Sequence, residues 1–174
     1  IDNGFYDTEF TDLYTKEDIN ELNDYINHER DEVLTYAAME QFRGKYLVQN
    51  RASGEIFETP QVAYMMISAT LFSKYPAETR MSYVKAYYDA ISTFKISLPT
   101  PVMAGVRTPQ RQFSSCVLVE TDDSLDSINA TTSAIVKYVS QKAGIGIGAG
   151  RIRALNSPIR SGDAYHTGVI PFYK

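Results

Sequence analysis

The first residues of the chain carry apolar side chains at helical spacing. Thr15, followed three residues later by an acidic side chain, has the form of a helix N-cap. Ile19, Leu22 and Ile26 then fall on one helical face. The pattern predicts a capped helix with one side turned to a core.

A second helix and a β-hairpin are predicted next. Residues 30–42 continue the helical pattern. Residues 46–49 and 55–58 are strand-like, and the polar residues 52–54 between them have the composition of a short turn. The sequence therefore predicts two antiparallel strands directly after the second helix.

Two further helices follow the hairpin. Thr59 and Pro60 supply the capping hydroxyl and the proline that commonly begin a helix. Residues 62–72 are apolar nearly all round, which predicts a buried helix. Pro76 begins another helix, and its apolar spacing predicts an end near Thr93.

The pattern changes after this helix. Residues 95–98 are strand-like, and Pro99 and Pro101 predict extended backbone around Thr100. Residues 113–120 form an apolar run broken only by small side chains, which is typical of a strand. We expect these segments to be the first strands of a second architectural unit.

A helix and another strand are predicted beyond residue 120. Asp122 and Asp123 are placed to cap a helix that runs to Lys142, and residues 151–153 are strand-like. The apolar stripe of this helix consists of Leu125, Ile128, Thr132, Ile135, Val136 and Val139. A strand, helix, strand succession predicts a parallel crossover.

These elements predict a mixed α/β chain in two parts. Residues 1–94 form a helical N-terminal region with a hairpin, and residues 95–174 begin with β-α-β elements. The sequence has no repeat, low-complexity tract or flexible linker. The boundary near Lys95 is therefore expected to be a packed seam.

Composition narrows the class of protein. A chain of 174 residues with 44% apolar and 22% charged residues is expected to form a soluble globular unit. The net charge of −4 gives no basic footprint for DNA or RNA. No apolar run approaches the roughly 20 residues that cross a bilayer, and no secretory signal is present, so we expect no membrane partner and a cytoplasmic location. The chain begins with Ile1 and stops at Lys174 without a turn, and we expect it to be cut or processed from something longer.

A glycine-rich segment resembles a dinucleotide-binding fingerprint, but its context is wrong. Residues 144–149, GIGIGA, fit that pattern, which requires a strand before the glycines and a helix after them. Here a helix precedes them and a strand is predicted to follow. The glycines are better explained by close approach of backbone to a ligand or to a neighbouring helix, and tight packing alone is the alternative.

Three arginines follow the glycines, and guanidinium groups beside bare backbone N–H groups suit phosphate oxygens. They are Arg151, Arg153 and Arg160. Arginines after a loop are commonly solvated, which is the alternative explanation. The residues alone explain Asp123 as an ordinary helix cap.

Cys116 is the only cysteine, which excludes an internal disulfide and a cysteine zinc site and favours a reducing compartment. Cysteine in an apolar strand is commonly an inert small hydrophobe. His28 and His166 are distant in sequence, so no nucleophile and base pair is evident. The residues alone leave the role of Cys116 open.

Several motifs in one order change this interpretation. The chain closely resembles the large subunit of class I ribonucleotide reductases, with the match most specific from Lys95 onward. The motifs that carry the resemblance are residues 44–50 (GKYLVQN), 96–101 (ISLPTP), 112–120 (QFSSCVLVE), 123–128 (DSLDSI), 142–147 (KAGIGI) and 166–172 (HTGVIPF). The resemblance implies the end of a helical N-terminal domain followed by the start of an incomplete ten-stranded α/β barrel.

The resemblance implies catalytic and substrate-binding roles. Cys116 would be one member of a redox pair that reduces the ribose 2′ position and becomes a disulfide, later reset by thiol exchange. Thr100, Ser115, Cys116 and Gly144 would contact the nucleoside diphosphate substrate. The second thiol of the pair, the radical cysteine and the shuttle cysteines are absent from this chain, so the resemblance implies a part that is inactive alone.

The resemblance also implies an allosteric site and a set of partners. Asp123, Ser124 and Leu125 would bind a dNTP or ATP effector, with Arg153 and Arg160 on its phosphates and Mg²⁺ accompanying it. Helix 124–142 would pack against its twin in a homodimer. The other partners would be the rest of the large subunit, a small subunit with a metal-radical cofactor, and a thioredoxin or glutaredoxin type reductant.

Three hypotheses stay open at this point. The chain is part of a reductase that works with a complementing C-terminal part, a noncatalytic module for dNTP binding and dimerisation, or an inactive fragment that exposes strand edges. A split gene, a cloned segment and a proteolytic remnant would each give such a chain. Co-purification with a chain that supplies the missing cysteines would favour the first hypothesis.

Overall fold

The structure is a computed structural model that describes residues 4–141 and 143–174. The chain forms two compact units, Ile1–Phe113 and Ser114–Lys174. The predicted boundary near Lys95 falls inside the first unit, because Met103 and Val106 belong to its buried core.

The first unit is mainly helical. Its α-helices are α1 (Glu9–Leu13), α2 (Lys16–Tyr25), α3 (Tyr36–Gln41), α4 (Pro60–Phe72), α5 (Ala77–Ser92) and α6 (Thr100–Gly105). A 3₁₀ helix spans His28–Val33, a π-helical turn spans Phe42–Tyr46, and β1 (Gln49–Asn50) pairs with β2 (Glu55–Ile56). None of the helices in the described part of the chain is long and apolar enough to span a membrane.

The capped first helix is confirmed, but the second helix is broken. Thr15 and Asp18 form a capping box at the start of α2. The single helix predicted over residues 30–42 is wrong, since the chain becomes extended at Leu34 and Thr35. The Thr35 hydroxyl accepts a hydrogen bond from the Ala38 backbone N–H at 3.2 Å and so begins α3 anew.

The predicted hairpin is present but short. β1 and β2 are antiparallel, with Gln49 opposite Ile56 and Asn50 opposite Glu55. Gly54 has a φ of +76°, a conformation that glycine adopts at little cost. β2 ends at Ile56, so Glu58 lies beyond the ladder, and its carboxylate accepts a hydrogen bond from the Val48 backbone N–H at 2.7 Å.

Helices α4 and α5 form the centre of the first unit. The Thr59 hydroxyl accepts from the Val62 backbone N–H at 3.3 Å, and Pro60 is the first residue of α4, as predicted. Helix α4 is buried over most of its length, and α5 ends at Ser92 with Thr93 as its C-cap. The buried apolar core includes Ala63, Ile67, Ala69, Val84, Tyr88 and Ile91.

The strand predicted over residues 95–98 is wrong. The chain turns at Phe94, whose φ is +60°, and the backbone N–H groups of Lys95 and Ile96 both donate to the Ala90 carbonyl oxygen. Those amides therefore wrap the end of α5 instead of entering a sheet ladder.

The backbone around Thr100 is also helical instead of extended. Pro99 is the N-cap of α6, Thr100 is its first residue, and Pro101 lies in its first turn. Proline favours this placement because its fixed φ suits a helix start and its missing N–H is not needed there.

The second unit contains the predicted parallel crossover. Its elements are β3 (Cys116–Glu120), α7 (Leu125–Ser140), β4 (Gly144–Gly148), β5 (Pro158–Ile159), β6 (Ala164–Tyr165) and α8 (Ile170–Tyr173). Strands β3 and β4 are parallel neighbours, joined by α7, while β5 and β6 form a separate antiparallel pair. The mixed α/β fold class is confirmed, and among the described residues the strands form two-stranded sheets and no closed barrel.

Two local predictions in this unit differ from the structure, and a third is not tested by it. Ser124, not Asp122 or Asp123, is the N-cap of α7, and its hydroxyl accepts from the Ser127 backbone N–H at 3.1 Å. The second strand lies on the glycine-rich segment, whereas residues 151–153 are a turn. The predicted helix end at Lys142 lies outside the described residues.

Candidate functional site

A cavity of about 460 Å³ lies in the second unit, beside the start of α7. The loop before α7 and the first turn of α7 form one wall, and residues between 153 and 172 form the rest. All five residues that the sequence analysis assigned to an effector site line this cavity: Asp123, Ser124, Leu125, Arg153 and Arg160. The fold thus brings together side chains that are up to 37 positions apart, counted as 160 minus 123.

Asp123 is held by Arg153 through two hydrogen bonds. One carboxylate oxygen accepts from the Arg153 backbone N–H at 3.2 Å, and the other accepts from its guanidinium Nε at 2.6 Å. The Arg153 backbone N–H, followed by its guanidinium, lowers the pKa of Asp123 below its ordinary value. Asp123 is therefore anionic at neutral pH, and its role is to orient Arg153, not to cap α7.

Ser124 and Leu125 form the edge of the cavity at the beginning of α7. The Ser124 hydroxyl is the cap of the helix, so it is oriented by the Ser127 backbone N–H. Leu125 is the first helical residue, and 74% of its surface is exposed. A large exposed apolar side chain at this place offers a hydrophobic contact to a ligand or to a partner.

Arg160 differs from Arg153 in the surroundings of its guanidinium group. Across residues 4–141 and 143–174, no hydrogen bond or ion pair is formed by the Arg160 side chain. Its backbone and that of Ser161 have φ of +50° and +60°, a left-handed conformation that is uncommon outside glycine. The cavity therefore contains one guanidinium oriented by Asp123 and one that is available to an anion.

The cavity also has lining residues that the sequence analysis did not assign to it. Ile128, Ile159 and Phe172 add apolar surface, while Tyr165 and His166 add polar groups on aromatic rings. They come from α7, from the β5 and β6 pair, from the residue after β6 and from α8. The signal that marked residues 166–172 was a family motif, which gave no indication of where those side chains lie.

Ser115, Cys116 and Gly144 are also brought together, at the start of the parallel strands. Cys116 lies opposite Gly144 in the ladder, and the Gly144 backbone N–H donates to the Ser115 carbonyl oxygen at 2.9 Å. A Cβ on Gly144 would lie 3.2 Å from the Cys116 thiol sulfur. The thiol is exposed, so it is open to a reaction partner.

The glycines of β4 keep one face of the strand free of side chains. A Cβ on Gly146 would lie 2.6 Å from Leu118, and one on Gly148 would be 2.4 Å from the Glu120 carboxylate. The close approach expected of these glycines is thus to side chains of β3. The same face carries Cys116, two residues before Leu118 in the strand.

Thr100 lies in the first unit, where it begins α6 and is exposed. No group of three or more His, Cys, Asp or Glu side chains within residues 4–141 and 143–174 could hold a metal ion. A divalent cation at the cavity would therefore need ligands from the bound molecule as well as from Asp123 or its neighbours.

Comparison with known proteins agrees with the motifs. The family described as "Ribonucleotide reductase, all-alpha domain" matches residues 32–111, and "Ribonucleotide reductase, barrel domain" matches residues 114–174. The chain is 64% identical over 174 residues to ribonucleoside-diphosphate reductase 1 subunit alpha of Escherichia coli (strain K12). It is 68% identical over 169 residues to the subunit alpha of Haemophilus influenzae and 50% identical over 174 residues to that of Enterobacteria phage T4.

The chain belongs to the family of ribonucleotide reductase large subunits, as its motifs indicated. The alignments cover 100% of this chain against the E. coli and phage T4 proteins and 97% against the H. influenzae protein. The chain spans 23% of the length of the E. coli and phage T4 proteins and 22% of the length of the H. influenzae protein.

Proposed function

We propose that this chain is the part of a ribonucleoside-diphosphate reductase large subunit that carries one redox cysteine and an allosteric effector pocket. The observation that carries the proposal is the cavity at α7, which is lined by the five residues that the family resemblance implies for the effector site. The relatives named as ribonucleoside-diphosphate reductase subunits support the activity.

The effector in this proposal is a deoxynucleoside triphosphate or ATP. Arg160 supplies an unpaired guanidinium for phosphate oxygens, and Arg153 supplies a second one that Asp123 holds in place. Ser124 and Leu125 contact the nucleoside at the helix start. Mg²⁺ would enter with the phosphates, which supply most of its ligands.

The substrate in this proposal is a nucleoside diphosphate, reduced at its ribose. Cys116 and a second thiol from the rest of the subunit together give up two electrons and two protons and form a disulfide. The ribose 2′ carbon is reduced by these two electrons and gains a hydrogen in place of its hydroxyl group, which leaves as water. Ser115 and Gly144 lie beside Cys116 and support a role in holding that substrate. Thr100 would provide a further hydroxyl from the start of α6.

The proposed partners follow from the same chemistry. The remaining C-terminal part of the large subunit provides the missing cysteines, and a small subunit provides the metal-radical cofactor that initiates the reaction. A thioredoxin or glutaredoxin type protein resets the disulfide. A second copy of the chain packs against helix 124–142, a proposal supported by the exposed apolar side chains of α7.

A second candidate function is a noncatalytic module that binds a dNTP and dimerises. The observation that favours it is the contrast between the two sites. The cavity at α7 already contains an acid and two guanidinium groups from this chain, whereas Cys116 is the only cysteine. Binding without turnover in the full-length subunit would decide for this candidate.

Replacement of Arg160 tests the effector pocket. In the full-length subunit, we expect Arg160→Gln to weaken binding of dTTP by roughly 10- to 100-fold, since a hydrogen bond to a charged group is lost. Isothermal titration calorimetry measures the dissociation constant. Arg43→Gln, at an exposed arginine of the first unit, is the matched control and should bind as the parent does. Unchanged affinity in Arg160→Gln would contradict the assignment.

A further inference from the structure

His166 lines the cavity at α7, and neighbouring residues hold both its backbone and its ring. Its backbone N–H donates to the Ser157 carbonyl at 2.9 Å, and its own carbonyl accepts from the Asn156 N–H at 2.9 Å. Its ring lies 5.7 Å from the Phe172 ring, centroid to centroid, with 32° between the planes. Both rings line the cavity.

The protonation of the neutral ring follows from one hydrogen bond. The Gly168 backbone N–H donates to His166 Nδ1 at 3.0 Å, and Gly168 reaches this position with a φ of +80°. Because Nδ1 accepts, the neutral imidazole carries its proton on Nε2. Among the residues that the structure describes, Nε2 has no hydrogen-bond partner.

Within the described residues, His166 Nε2 makes no hydrogen bond to the Asp123 carboxylate in the same cavity. The two oxygens of Asp123 accept hydrogen bonds from Arg153 instead. The other charged groups that line the cavity are the guanidinium groups of Arg153 and Arg160, which donate and do not accept. An N–H donor in a cavity that also contains two guanidinium groups is suited to an oxyanion of the ligand.

We infer that His166 is a further ligand-contacting residue, which donates its Nε2–H to a phosphate oxygen of the bound nucleoside triphosphate. The inference rests on the proposed effector function of the cavity and adds a residue to it. Gly168 and Phe172 fix the ring so that this donor is oriented before the ligand binds.

Two amide side chains separate a ligand contact from a structural role. In His166→Gln the terminal amide N–H takes the place of Nε2–H, whereas in His166→Asn the amide oxygen takes the place of Nδ1 and no donor extends as far. A ligand contact is therefore preserved by Gln and lost in Asn. If His166 served only to accept the hydrogen bond from Gly168, ligand binding would instead be preserved in His166→Asn and weakened in His166→Gln.

The experiment measures dTTP affinity in the full-length subunit by calorimetry, with a thermal melt of each variant. We expect His166→Asn to weaken binding by about tenfold and His166→Gln to stay within about threefold of the parent, from the strength of a hydrogen bond to a charged acceptor. Asn binding as tightly as the parent, or Gln binding as weakly as Asn, overturns the inference.

A second readout tests the phosphate assignment. Inorganic tripolyphosphate should displace dTTP from the parent, and its inhibition constant should rise in His166→Asn by the same factor as for dTTP. An inhibition constant that does not change overturns the contact to phosphate. If the parent itself binds no dTTP, the proposed function fails. If the parent binds dTTP and both variants bind it equally well, only the role of His166 fails.

Discussion

Glu58 and Arg107 form an ion pair that is wholly enclosed in the first unit. Neither side chain has any exposed surface, and Arg107 Nε donates to Glu58 at 2.9 Å. The Arg107 guanidinium also donates to the Met103 and Tyr46 carbonyl oxygens at 2.7 and 2.9 Å. The Val48 N–H donates to the carboxylate. Charges removed from water in this way are tolerated because their donors and acceptors are satisfied.

Replacement of one member should therefore be costly. We expect Arg107→Met to lower the free energy of unfolding by about 3–5 kcal/mol, because it leaves the Glu58 carboxylate buried and uncompensated. Urea unfolding followed by circular dichroism measures the change. Arg43→Met removes an exposed ion pair with Glu40 and should cost at most about 0.5 kcal/mol. A cost below about 1 kcal/mol for Arg107→Met would contradict the role given to the pair.

The family resemblance assigned some residues to a common site, and local sequence patterns gave no indication of others. The resemblance to the family implied a shared role for Asp123 and Arg153, and the structure places these two residues in contact. Glu58 and Arg107 received no assignment, because their contact joins positions 49 apart in sequence. The position of the His166 ring depends on the pairing of β5 with β6, and no local spacing in the sequence indicates that pairing.

At the scale of elements, the helices with local start signals were predicted correctly. Thr15 before α2 and Thr59 before α4 supply their caps from within one turn. The errors at residues 30–42 and 95–98 have another cause. Within residues 30–42, Thr35 caps the start of a new helix. Within residues 95–98, the backbone N–H groups of Lys95 and Ile96 donate to the Ala90 carbonyl oxygen, so they are not available to a neighbouring strand.

Helix α7 carries both buried and exposed apolar side chains. Ile128 and Thr131 are buried, so Ile128 does not belong to the exposed part of the predicted stripe. Leu125, Val136 and Val139 are 74%, 65% and 55% exposed, and their helical spacing places them on one face. An exposed apolar stripe of this kind is typical of an interaction surface.

If α7 packs against its twin, a charge on the stripe should prevent it. We expect Val136→Asp in the full-length subunit to sediment as a monomer at concentrations where the parent is a dimer, because a carboxylate would be buried in the interface. Analytical ultracentrifugation measures this. Lys137→Asp changes the adjacent exposed residue, about 100° around the helix, and should stay dimeric. A dimeric Val136→Asp would contradict the proposed interface.

At the scale of the whole molecule, the sequence predicted the order of architectures but not the position of the boundary. A helical unit precedes a unit with a parallel β-α-β crossover, as the patterns indicated. The division falls after Phe113 because α6, which was expected in the second unit, contributes Met103 to the first core. The position of the boundary is decided by packing between residues that are distant in sequence, and local periodicity does not indicate such packing.

The second unit presents the features that the proposed reductase requires of this segment. The start of β3 carries the Cys116 thiol beside Gly144, and the loop after β3 leads to Asp123 in the cavity. One short strand thus connects the proposed redox cysteine with the proposed effector pocket. A test of the account should affect one of these sites and leave the other intact.

The most direct measurement is ribonucleotide reduction by Cys116→Ser in the full-length subunit, assayed with the small subunit and a dithiol reductant. We expect turnover to be lost while dTTP binds with the affinity of the parent, because serine keeps the size of cysteine but cannot form a disulfide. Continued turnover through many cycles in Cys116→Ser would contradict the redox role of this cysteine, and with it the central claim.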